Sequence, residues 1–181
     1  MSYNTFAGVL GGHHNYLVHM CLPNFSDYEE LEQTNIEKNR TGTRDKYKEL
    51  RYFLNAVESF NNILDYMYWE YEDKLKPDTD GKFRDKVHKE FPALEALADL
   101  ANAYKHCKRK GKNAGKISAA ELQNPNVIVS TVVIEGGGLH LDIEYEFPGV
   151  APEHKKILEE AFRFWQDYHQ KPNPEKFIKL A

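Results

Sequence analysis

Arg84 and His88 stand one helical turn apart in "FRDKVHKEF", a spacing that puts both on one helix face. A guanidinium can hold a phosphoryl charge while an imidazole moves a proton, so the pair is a first candidate for chemistry. Lys82, Lys86 and Lys89 flank it, and the plainer reading is an exposed, charged helix face. A second candidate is "ANAYKHCKRKGKNAGK", Ala101 to Lys116. Lys105, Lys108, Arg109, Lys110, Lys112 and Lys116 crowd its end, with His106 among them and no acid. Such a run can neutralise phosphates and bind RNA or another polyanion. It can equally be a helix C-terminus, where cations complement the macrodipole and Gly111 stops the helix. Helix C-termini present carbonyls, so an anion site here would be built from side chains alone. On sequence the helix end is the simpler account.

His13, His14 and His19 in "GGHHNYLVHM" lack the spacing and the Cys, Asp or Glu partners of a zinc site, and they read as incidental histidines. Neither Cys21 nor Cys107 has a recognisable catalytic partner, and no G-x-S-x-G occurs. The Gly136–Gly138 run and the Gly-Lys pairs complete no phosphate-binding loop. No metal or other cofactor is expected. Asp142, Glu144 and Glu146 alternate along one strand and read as its solvated side.

The 181 residues suit a single domain, 1–181, with a sizeable core. Aromatics at 13% predict ring packing within it. A net charge of −4 argues against a whole-molecule nucleic-acid binder, but the +6 of residues 105–116 leaves −10 on the rest. The asymmetry is local. Two distant cysteines read as reduced thiols. With no signal-peptide pattern and no apolar stretch long enough to span a bilayer, the expected setting is cytoplasmic, without membrane contact.

The elements follow from periodicity. Residues 1–25, broken by Gly8, Gly11, Gly12 and Pro23, read as an irregular N-terminal segment. The helical core is placed at 26–110, and Ser26 reads as the cap of its first helix. Leu50, Phe53, Leu54, Val57, Phe60, Ile63, Leu64 and Met67 form one stripe, predicting a single continuous helix over 45–73 as the spine of a bundle. "KPDTDGK" reads as a turn. A second arm is predicted from Lys82 through His106, bent at Pro92. Residues 126–147 read as a β-hairpin turning at Gly136–Gly138. Leu141, Ile143 and Tyr145 would lie against helices, because a lone hairpin is marginal in water. An amphipathic helix at 152–170 carries Ile157, Leu158, Ala161, Phe162 and Trp165. The expected fold is mainly α with a small β-hairpin: a bundle of four to five helices with a two-stranded antiparallel hairpin packed on it.

"DLANAYKH", Asp99 to His106, resembles the D-x-A-[DN]-A-x-K-H stretch of a loose group of uncharacterised bacterial proteins. There the stretch ends a helix and precedes a basic loop, a hairpin and a last helix with a Trp. The same order runs here over about residues 45–170, with Trp165 in "EEAFRFWQDYH". More distantly, the long paired helices are similar to HEPN domains. Active HEPN ribonucleases carry R-x4-6-H on the last bundle helix. Here the equivalent stretch offers Ala98 and Tyr104, while Arg84–x3–His88 is one residue short and lies earlier. The resemblance implies a helical binding or interaction module that contacts RNA, another polyanion or a protein partner through the basic loop. The alternatives are a metal-independent ribonuclease using Arg84 or Arg109 with His88 or His106, and a structural homodimer joined through aromatic helix faces.

Overall fold

The computed structural model describes residues 10–39, 45–76, 78–105, 126–134, 138–146 and 149–181, with side chains for all but 37–39 and the two strands. The chain is mainly helical and forms a bundle. Helix α1 (His13–Tyr16) runs through a π-helical turn (Leu17–Cys21) into α2 (Leu22–Asn39). Helices α3 (Lys46–Asn61), α4 (Ile63–Glu70) and α5 (Glu72–Leu75) follow, then α6 (Asp80–Glu90) and α7 (Pro92–Lys105). Strands β1 (Asn126–Ile134) and β2 (Gly138–Glu146) pair antiparallel with Val129 opposite Ile143. Their side-chain directions, and so the predicted facing of Leu141, Ile143 and Tyr145, lie outside the described residues. Helices α8 (Pro152–Gln170) and α9 (Glu175–Ile178) complete the chain. Helix α3 lies at the centre, against α2, α7 and α8, while α1 rests on α4. Among the described residues no helix is long and apolar enough to cross a membrane.

The expectation of irregular structure up to residue 25 is corrected from His13 onward, and Ser26 is inside a helix rather than its cap. Leu17, Cys21, Phe25 and Tyr28 are all buried, a helical stripe that the glycines and proline obscure. Pro23 has no N–H and its ring would crowd the carbonyl of His19 in a regular α-helix. The wider π turn over Leu17–Cys21 immediately precedes it and relieves that crowding.

The single helix predicted over 45–73 is also corrected: it is three pieces. Asp45 opens α3 by accepting a hydrogen bond from the Lys48 backbone N–H at 2.8 Å. The chain turns at Asn62 (φ −82°, ψ −7°) and again at Tyr71 (φ −112°, ψ 19°). Asparagine is a poor helix former, and Asn61 also accepts a hydrogen bond from Arg84, remote in sequence. The apolar stripe survives the breaks, with Phe53, Val57, Phe60 and Leu64 all buried. Phe60, 1% exposed, packs edge-on against Phe25 and Phe162 at 6.2 Å between centroids. Phe60→Ala should lower stability by about 3–5 kcal/mol in a urea melt; a loss below about 1 kcal/mol would show that this stripe is not the core.

The turn expected at 76–82 is shorter, because Thr79 caps α6 and the helix begins at Asp80. The second arm breaks at Phe91, and Pro92 opens α7, where its missing N–H is harmless. Helix α8 buries Leu158, Ala161 and Trp165 as the stripe predicts. Helix α9 was not foreseen. It brings Phe177 flat against Trp165, with centroids 5.8 Å apart.

Candidate functional site

Helix α6 does hold Arg84 and His88 on one face, but the bundle consumes both. The Arg84 guanidinium forms an ion pair with Asp65 of α4, and its second nitrogen donates to Asn61 Oδ1 at 3.0 Å. Asn61 and Asp65 stand four positions apart and so present these two acceptors together. His88 lines a crevice with Phe60, Leu64, Leu94, Leu97 and Trp165 that has no room for a water. Burial first, and the Arg84 charge second, hold the His88 imidazole below its ordinary value, against Asp85 and Glu95. A half-buried imidazole beside a neutralised guanidinium makes a structural strut. It offers a substrate phosphate no free charge. His106 and Arg109 lie outside the described residues.

Of the basic run only Lys105 is described, exposed at the last position of α7; Lys108, Arg109, Lys110, Lys112 and Lys116 lie outside the described residues. Tyr104, just before it, is anchored by an edge contact with Phe53 at 5.8 Å and lies 3.4 Å from His154 Nδ1 of α8. Burial, then Glu153, push its phenol upward. The run therefore starts from a fixed helix end. Within the bundle many cations already face carboxylates: Lys74 on Glu175, Lys86 on Asp78, Arg84 on Asp65, Arg163 on Glu159.

Two polar networks escaped the sequence reading. In the first, His13, 3% exposed, is held three ways. Its backbone N–H donates to Glu70 Oε2 at 2.8 Å, and its ring Nδ1 lies 2.6 Å from the same oxygen. A carboxylate only accepts, so Nδ1 carries a proton, while Nε2 is hydrogen-bonded to the Tyr168 hydroxyl, 2.6 Å away. Burial alone would raise the Glu70 carboxyl, but the His13 hydrogen bonds outweigh it and hold it below its ordinary value. A side chain at Gly12 would displace this carboxylate, since a Cβ would come within 2.7 Å of Glu70 Oε2. Next to it, His14 Nε2 and His169 Nδ1 are 3.1 Å apart with the rings stacked. His13 and His14 are thus buried or half-buried members of a network, whereas His19 is exposed. The adjacent glycines were the one sequence cue, as they mark close backbone approach.

In the second network Glu49 of α3 is fully buried, with its side chain 0% exposed. Its carboxylate faces Lys155 Nζ of α8 at 3.3 Å and accepts from Asn35 Nδ2 of α2 at 3.2 Å. Lys155 also pairs with Glu32. Three helices are tied by one lysine and two carboxylates. Among the described residues no three His, Cys, Asp or Glu groups are placed to hold a metal ion. Cys21 is buried, its thiol donating to the Ser59 carbonyl at 3.2 Å, and burial pushes that thiol upward. Cys107 lies outside the described residues.

No protein-family model matches the chain, and no curated protein or solved structure matches it closely enough to count.

Proposed function

We propose that the protein is a HEPN-like helical binding module that engages RNA, or another polyanion of the same charge pattern, through Lys105 to Lys116. One observation carries the reading: the bundle pairs many of its cations internally, while the chain continues from the fixed end of α7 into a run with six cations and no acid. Phosphates are neutralised by such runs regardless of base sequence. An antiparallel hairpin follows the run, with Val129 opposite Ile143. The ribonuclease alternative has weaker support, because Arg84 is engaged by Asp65 and Asn61.

The test is fluorescence polarisation of a labelled single-stranded RNA at low salt. Replacing Lys108, Arg109 and Lys110 by Gln should weaken binding about tenfold or more while leaving the urea midpoint nearly unchanged, since exposed charges hold little stability. Equal affinity of the two proteins would remove the basic run from the binding surface.

A further inference from the structure

Where α1 meets the end of α8, three imidazoles lie close together, and one of them holds a carboxylate. His13 is bound to Glu70, and His14 stacks on His169 with ring centroids 5.2 Å apart. We propose that this cluster is an acid-released latch for the N-terminal helical segment, closed while His14 and His169 share one N–H···N hydrogen bond and opened once both carry a proton.

The geometry sets the logic. At 3.1 Å, His14 Nε2 and His169 Nδ1 need one donor and one lone pair between them. Two imidazolium rings have no lone pair left, and the contact becomes two like charges in a half-buried site. The surroundings do not compensate. Facing the pair are His13 from α1, Glu70 from α4 with Tyr71 beside it, and Tyr168 from α8. Burial raises both tyrosine hydroxyls, Tyr71 to about 12 and Tyr168 further, so they stay neutral. Among the described residues Glu70 is the anion acting on His14, and His13 already meets it twice. A proton added to each of His14 and His169 brings two positive charges into contact at 3.1 Å.

The sign follows from linkage. Burial first, then His169 and His13, hold His14 below its ordinary value of 6.5. An opened segment then takes up protons that the closed one refuses, so closure is full above about 6.5 and is lost as pH falls below it. The backbone departs from regular α-helix on both sides of α1. The π turn Leu17–Cys21 follows α1 directly, and Gly11 precedes it at φ +77°. Leu17 and Cys21 are fully buried, so the release is confined to the residues before them.

Hydrogen exchange on the full chain at pH 7.5 and 5.5, corrected for the intrinsic pH dependence, tests this. Protection over residues 10–16 should fall at least about tenfold at pH 5.5 while α3 stays protected. The variant His14→Gln, His169→Gln, whose amides can still donate and accept, should keep its protection at both values. Unchanged protection in the wild type, or an equal fall in the variant, would overturn the latch. If the variant does not fold, an NMR titration of the wild type decides: two separated steps, one below the ordinary histidine range, are expected, and coincident unperturbed titrations would refute it.

Discussion

Lys155→Met should destabilise the protein by about 3–5 kcal/mol, because it removes the cation facing a carboxylate that water cannot reach. Glu49 is fully buried and has Lys155 as its cationic partner at 3.3 Å. Asn35 donates to the same group at 3.2 Å, which lowers the desolvation penalty without cancelling the charge. The informative control is the double variant Glu49→Gln, Lys155→Met. Gln still accepts from Asn35, and the fully buried charge is gone, while half-buried Glu32 loses the same lysine in both variants. Replacing both members of a buried pair is often nearly neutral, whereas removing one is severe. The double variant should therefore recover most of the loss in a urea melt. If the single change costs less than about 1 kcal/mol, or the double variant is worse than the single, the network does not hold α2, α3 and α8 together as described.

Trp165→Ala should cost about 5 kcal/mol, the upper end for a large core truncation. Trp165 is fully buried and sits at the centre of a ring cluster. Phe177 stacks on it at 5.8 Å, and Phe164 and Tyr168 meet it edge-on at 5.2 and 5.5 Å. Such pairs add about 0.5–1.5 kcal/mol each beyond buried area. The change also removes the surface on which α9 docks, so exchange protection around Phe177 should vanish first. Trp165→Phe is the milder comparison. The indole N–H finds no partner within the described protein atoms, so this variant loses volume and ring contacts but no protein hydrogen bond. A Trp165→Ala loss no larger than that of Trp165→Phe would contradict a packed cluster.

Much of this bundle is legible in its periodicity. The stripe of α8 and the Pro92 break between α6 and α7 follow from local rules, since apolar spacing and a missing N–H act over a single turn. The N-terminal helix does not follow, because Gly11, Gly12 and Pro23 signal interruption more strongly than Leu17, Cys21, Phe25 and Tyr28 signal a stripe. The break at Asn62 is hidden for another reason. Phe60, Ile63 and Leu64 keep the helical period across it, and the Arg84 side chain that engages Asn61 comes from 23 positions away. Distance in sequence also conceals both polar networks. His13 reaches Glu70 across 57 positions and Tyr168 across 155, and Lys155 reaches Glu32 across 123. No spacing rule spans such intervals. Arg84 and His88 show the converse, a local pattern that suggests chemistry and whose members the tertiary structure spends on packing.

The central claim, that Lys105 to Lys116 grips a polyanion, is tested most directly by the salt dependence of RNA affinity. With six cations neutralising phosphates at about 0.7–0.9 counterions each, the log–log slope should reach about −4 to −5. Lys108→Gln, Arg109→Gln and Lys110→Gln together should flatten it by about half. No detectable binding at about 50 mM salt, or a slope that the triple change leaves untouched, would contradict the account and leave the run as the end of a helix.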